Sequence, residues 1–204
     1  MKINTNLLNK LRYTLYAPAY NWPAKLLDTS RKKAIAQLNP LSGEKILIVG
    51  GGTGMDLDYL PLGCIITATD ITPAMIRQIE KRNRRLKHQL KVQVMDGQRL
   101  SFENETFDKI ILHLIVSVIP DPILTVLETE RVLKPGGKIS VYDKFVHKNN
   151  QPSLLRKTLN LFTNLFFSDI TRSFEQIVTQ TQLKVISDEP ADFGGNFRII
   201  LLEK

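Results

Sequence analysis

A chain of 204 residues, 43% hydrophobic and 24% charged, has the size for one domain with a substantial core and the composition of an ordinary soluble globular protein. Its net charge is +8, from 28 basic and 20 acidic side chains, and its single cysteine, Cys64, excludes an internal disulfide, so an intracellular protein is expected. No apolar run of about 18 residues and no apolar leader with a small-residue cleavage site occurs, so neither a membrane span nor a signal peptide is predicted.

From the N-terminus, Ile3, Leu7, Leu8, Leu11 and Leu15 recur at helical spacing over residues 3–16. A second helical segment follows Pro23 and runs through Leu26, Leu27, Ala34, Ile35 and Leu38. "KILIVG" (45–50) is a short all-apolar strand of the kind covered on both faces, and "CIITATD" (64–70) is a second. "ITPAMIRQIEKRNRRL" predicts a helix with Thr72 as N-cap and Pro73 in its first turn. "KVQVMD" (91–96), "FDKIILHLIV" (107–116) and "GKISVYDKF" (137–145) complete five strands. Between the last two, "DPILTVLETERVLKPGG" reads as a helix ending in a Pro-Gly-Gly turn. Two further helices (152–167 and 169–181) precede "LKVISDEP" and "NFRIILLEK", a hairpin joined by "ADFGG". Strands alternating with helices imply an α/β fold, a mostly parallel sheet with helices on both faces and right-handed crossovers. A ligand is then expected beyond the carboxyl ends of the strands, where the glycine loop after the first strand lies.

The charge is unevenly placed. Residues 1–33 hold seven Lys or Arg against Asp28 alone, and residues 77–91 hold seven against Glu80 alone. The rest of the chain carries 14 basic (28 − 14) against 18 acidic (20 − 2) side chains. Two basic segments on a mildly acidic body suit an anionic partner surface, either phospholipid or nucleic acid, or are simply solvated helix faces.

The glycine loop "GGGTG" follows the first strand directly. A phosphate-binding P-loop needs a Lys-Ser/Thr pair after its last glycine, and none follows Gly54. The dinucleotide pattern needs a third glycine where Met55 or Leu57 stands. What remains is Gly50, Gly52 and Gly54 with a carboxylate, Asp70, ending the second strand 20 residues after Gly50, placed to accept both hydroxyls of a ribose. Asp96 ends the third strand before Gly97, where it can accept from an adenine amine or simply form an Asp-Gly turn.

In this order, "ILIVGGGTG", "TATDITPAMI", "VQVMDGQRLSFENETFDKI" and "RVLKPGGKISV" closely resemble the class I S-adenosylmethionine (SAM)-dependent methyltransferases, over about residues 44–145. The resemblance implies a Rossmann-like seven-stranded sheet, mostly parallel with an antiparallel terminal strand. It also implies SAM as methyl donor, with S-adenosylhomocysteine as product and no metal. The lone cysteine and His88, His113 and His147 are scattered along the chain. By the same resemblance Gly50, Gly52 and Gly54 surround the methionine portion, Asp70 meets the ribose, Ile71 packs on the adenine ring, and Asp96 with Gly97 meets the adenine edge. One position departs from the family. An acidic residue usually stands two positions before the first loop glycine, and here that position is Ile48, with Asp56 past the loop as the nearest electrostatic substitute.

Within that superfamily, "LRYTLYAPAYNW", "LHLIVSVIPDP", "YDKF" and "FSDITRSFE" look most like the bacterial phospholipid N-methyltransferases, with the quinone methyltransferases as near neighbours. That implies a phosphatidylethanolamine-type amine as acceptor, with a soluble small molecule or quinone as the alternative. Methyl transfer to an amine needs positioning and a proton sink more than a strong base. Tyr20 and Tyr16 are candidate lid residues, and His113 and Asp143, near the ends of the fourth and fifth strands, are candidate acceptor-site residues. The expected layout is one domain over residues 1–204: a helical N-terminal lid and membrane-contact segment (1–40), the SAM-binding core (44–145), then helices and a hairpin (150–204). The basic N-terminus and the greasy stretch 154–167 fit an anionic membrane surface, and hence a cytoplasmic protein peripheral at the inner membrane face. A nucleic-acid acceptor is weaker: no RNA-binding module and no Asn/Asp-Pro-Pro-aromatic tetrapeptide is present. A non-catalytic SAM-binding protein is the third class, supported by Ile48 alone.

Overall fold

The structure is a computed structural model that describes residues 5–16, 25–146, 160 and 168–204. Tyr20 and the predicted helix over 152–167, Asn160 apart, therefore lie outside the described residues. Helix α1 spans Asn6–Tyr16, and α2 spans Asp28–Leu38 after a single 3-10 turn. The strands are β1 (Lys45–Val49), β2 (Ile65–Asp70), β3 (Gln89–Val94), β4 (Phe107–His113), β5 (Leu133–Lys144), β6 (Lys184–Pro190) and β7 (Phe197–Glu203). Helices α3 (Pro73–Leu86), α4 (Pro122–Val132) and α5 (Phe174–Val178) cross between them.

The strands form one seven-stranded sheet in the order β3-β2-β1-β4-β5-β7-β6. β7 pairs antiparallel with both β5 and β6, and every other pairing is parallel. The all-apolar β1 explains its central place. Ile46 and Ile48 join a buried cluster with Ile35, Leu38 and Ile66 on one face. Leu47 and Val49 join Ile110, Ile139 and Val141 on the other. Such burial on both faces is worth about 1.5–3 kcal/mol per side chain, enough to fix the register of the strand. From β1 the chain runs outward to β2 and β3, then returns to the other side of β1 as β4. That reversal opens a crevice beyond Val49 and His113.

Four expectations need correction. The fourth strand stops at His113, because Leu114 turns to φ 59° and Val118 and Ile119 donate back to the Ile115 carbonyl. Thr72 holds the N-cap position of α3 in extended conformation, but its side chain makes no capping bond; the Asp70 carboxylate takes the Thr72 N–H instead. The helix expected over 169–181 shrinks to α5. The helix before the Pro-Gly-Gly ends at Val132, and the Pro-Gly-Gly lies inside β5 as a bulge between the Phe107–Leu133 and Lys109–Lys138 pairs. Lys204 pins that bulge: its backbone exchanges hydrogen bonds with Gly136 and Gly137, and its Nζ donates to the carbonyls of Glu130 and Leu133.

Candidate active site

The crevice at the ends of β1, β2 and β4 holds a cleft with about 610 Å³ of free space, counted with its open mouth. Gly50, Gly52, Asp70, Ile71, Asp96 and Gly97 all line it. The loop after β1 is tied down by Gly51 N–H donating to Thr69 O and Gly54 N–H to Gly51 O. Gly52 takes φ 54°, and a Cβ placed on it would point into open space, so the bare backbone faces the cleft. Gly54 acts elsewhere. It lines neither this cleft nor its neighbour, and its Cβ would lie 3.2 Å from the Ile79 Cα, so it lets the loop sit against α3.

Asp70 anchors the loop through its two oxygens, which accept from Gly52 N at 2.9 Å and Thr72 N at 2.8 Å. Burial pushes its carboxyl upward in pKa, against the pull of those two N–H donors. Asp96 Oδ1 accepts from Gln98 N at 3.0 Å, while Oδ2 accepts from Asn6 Nδ2 at 2.6 Å. Met95 and Ile115 supply apolar wall between them.

A smaller chamber of about 320 Å³ abuts the cleft, sharing Gly50, Gly52 and Leu114 with it. Its ionisable lining is Arg31 from α2, Asp56 from the turn after the glycine loop, and His113 from the end of β4. Asp56 Oδ1 accepts from Arg31 at 2.8 Å and from His113 Nδ1 at 2.6 Å. His113 Nε2 lies 2.9 Å from Ser140 Oγ, which in turn reaches the Ala34 carbonyl. Burial alone would raise the Asp56 carboxyl, but Arg31 and His113 together hold it well below the usual carboxylate range.

A methyltransferase domain family model matches residues 47–141, the span from β1 to β5 that builds both chambers. The chain is 26% identical to a phosphatidylethanolamine N-methyltransferase of Cereibacter sphaeroides, over 88% of this chain and 89% of that protein. It is also 26% identical to a demethylmenaquinone methyltransferase of Tropheryma whipplei, over 80% of this chain but only 61% of that protein's length. A SAM-dependent methyltransferase from Aquifex aeolicus has the same fold, with a TM-score of 0.69 at 15% identity over 93% of this chain and 97% of that one. Together the domain match, the relative matched over most of its length and the shared fold support a class I SAM-dependent methyltransferase.

The cleft of this methyltransferase fits the donor that its family implies. It offers open backbone at Gly52, two carboxylates at strand ends, and apolar wall between them, a set suited to a nucleoside. Among the described residues no group of three His, Cys, Asp or Glu side chains is placed to hold a metal ion.

Of the two described acceptor-site candidates, neither faces the main cleft. His113 is buried with both ring nitrogens engaged and borders only the smaller chamber. Asp143 is fully buried and lines neither chamber. Its oxygens accept from Ser117 N and Lys144 N, both at 2.8 Å, which fixes the turn after β4. Sequence reasoning looked for a lid in this segment among its tyrosines and missed its asparagines. Asn6, Asn9 and Tyr13 of α1 line the cleft, and Asn9 Nδ2 donates to the Val118 carbonyl at 3.3 Å. Their spacing of three and four residues was the available signal, a polar helical face masked by the stronger leucine pattern beside it. Arg31 was missed as well, being one of three consecutive basic residues with nothing local to set it apart.

Proposed function

We propose that this methyltransferase N-methylates a phosphatidylethanolamine-type phospholipid, working as a peripheral protein at the cytoplasmic face of a membrane. In this reading Asp70 receives the ribose hydroxyls of SAM, Asp96 and Gly97 the adenine edge, and Ile71 one face of the ring. Gly50 and Gly52 let the backbone run along the methionine portion. Bound SAM supplies a methyl group on a positively charged sulfur. The chain's own part is to hold the acceptor amine in line with that methyl group and to exclude water, effects that account for much of the barrier reduction in such displacements. His113 and Asp143 act as positioning residues, the first bracing Asp56 and the second fixing the turn that follows β4.

One observation carries the lipid acceptor: α1 is built inside out. Its polar residues Asn6, Asn9 and Tyr13 line the cleft, while Leu7, Leu11 and Leu15, one stripe at i, i+4 and i+8, are 79%, 62% and 70% exposed. Lys10, also exposed, flanks that stripe. An apolar stripe with a basic flank, carried on the roof of the site, suits an anionic bilayer that also presents the acceptor. The likeness to the Cereibacter sphaeroides enzyme over most of both chains agrees with it. A quinone acceptor is the second reading, supported by the demethylmenaquinone methyltransferase relative. Expression with isotopically labelled methionine, followed by mass spectrometry of the extracted lipids, separates them. New methylated phospholipids are expected, and labelled quinone without methylated phospholipid would remove the favoured acceptor.

A further inference from the structure

We infer that Asp56 is the carboxylate that receives the ammonium group at the amino-acid end of the methyl donor, in a chamber that this chain builds with Arg31 in place of an acid on β1. The inference rests on the nucleoside lying against Asp70 and Asp96 as proposed above. Ile48 cannot take the ammonium: it is 2% exposed and packed in the apolar cluster beneath the sheet. Asp56 is 3% exposed, yet its two oxygens are used unequally. Oδ1 accepts from both Arg31 and His113. Oδ2 accepts from no donor among the described residues and is not sealed off by protein, in a residue that lines the chamber. A nearly buried carboxylate with one oxygen bare toward a cavity is costly unless a ligand or water supplies a donor.

The charges of the chamber also match. Arg31 and Asp56 form a close buried pair, and the amino-acid end of the donor carries one ammonium and one carboxylate. A dipolar ligand end set against a dipolar protein pair leaves no net buried charge. Because Gly50, Gly52 and Leu114 border both chambers, one ligand can follow the glycine loop from Asp70 to Asp56. His113 and Ser140 fix the carboxylate from behind, so that only Oδ2 is left to the ligand.

Calorimetry with three unreactive ligands tests this: S-adenosylhomocysteine, its analogue with the α-amino group replaced by hydrogen, and 5′-methylthioadenosine, which lacks the amino-acid end. Wild-type protein is expected to bind S-adenosylhomocysteine about ten- to a hundred-fold more tightly than the deaminated analogue, the range for a charge-assisted hydrogen bond. In Asp56→Asn that preference should collapse toward one, with 5′-methylthioadenosine bound as in wild type. An Asp56→Asn variant that keeps the full preference, or that weakens all three ligands by one common factor, overturns the inference. If Asp56→Asn does not fold, the wild-type comparison still decides, since equal affinity for the first two ligands is enough to overturn it. Wild-type protein that binds S-adenosylhomocysteine but not 5′-methylthioadenosine overturns instead the placement of the nucleoside, and the inference with it.

Discussion

Two buried carboxylates of the site respond to their surroundings in opposite directions. Asp70 is pushed up by burial and spends its oxygens on Gly52 and Thr72 N–H groups, so it both shapes the loop and faces the cleft. Asp70→Asn keeps the shape but replaces one acceptor oxygen with a donor. SAM affinity is expected to fall about tenfold or more by calorimetry, and unchanged affinity would remove Asp70 from the donor site. Asp56 is held low by Arg31 and His113 despite its burial. A carboxyl with a depressed folded-state pKa contributes stability that is complete above its unfolded value, about 3.9, and is lost as pH falls through the folded value. Urea midpoints of wild-type protein should therefore decline below about pH 4 more steeply than those of Asp56→Asn; parallel curves would contradict the pairing. Asp70 and Asp96 were legible in the sequence because one ends the second strand 20 residues after Gly50 and the other stands just past the third, before Gly97. The Arg31–Asp56 pair was not, because its partners stand 25 residues apart and meet only when α2 packs beside the loop.

At the scale of elements, sequence periodicity recovers strands and helices better than it recovers which way they face. The leucine repeat in residues 3–16 correctly predicts α1, yet hydrophobic spacing alone leaves open whether those leucines pack on the domain or face outward. Two long-range hydrogen bonds turn the opposite, polar face to the domain, Asn6 to Asp96 across 90 residues and Asn9 to Val118 across 109. With its polar face so engaged, α1 leaves Leu7, Leu11 and Leu15 outward. Replacing these three leucines by Glu should shift the urea midpoint little, by no more than about 0.5 kcal/mol each, because little of their surface is removed from water. The same variant should lose co-sedimentation with vesicles containing anionic lipid. Marked destabilisation would mean that the stripe packs on protein, and unchanged sedimentation would take the membrane contact away from α1. The Pro-Gly-Gly in β5 failed for a related reason. Pro and Gly signal a break locally, but pairing with β4 and the grip of Lys204 turn the break into a bulge within one strand.

For the whole molecule, the alternation of apolar strands with helices was enough to place the sheet, its reversal beside β1 and the cleft at that reversal. Charge was less informative than it looked. Within the second basic segment, Arg82 and Arg85 are both paired with Asp58, so part of that stretch is already neutralised on the surface of the fold. The net charge of +8 therefore acts as a general attraction to anionic surfaces, screened by salt, and the acceptor must be sought at the cleft and its roof. The most direct measurement incubates purified protein with SAM carrying a labelled methyl group and vesicles of phosphatidylethanolamine mixed with an anionic phospholipid. The account predicts label on the lipid amine, with transfer falling as salt rises. Absence of labelled phospholipid, from protein that binds SAM and methylates a quinone or another small acceptor under the same conditions, would contradict it.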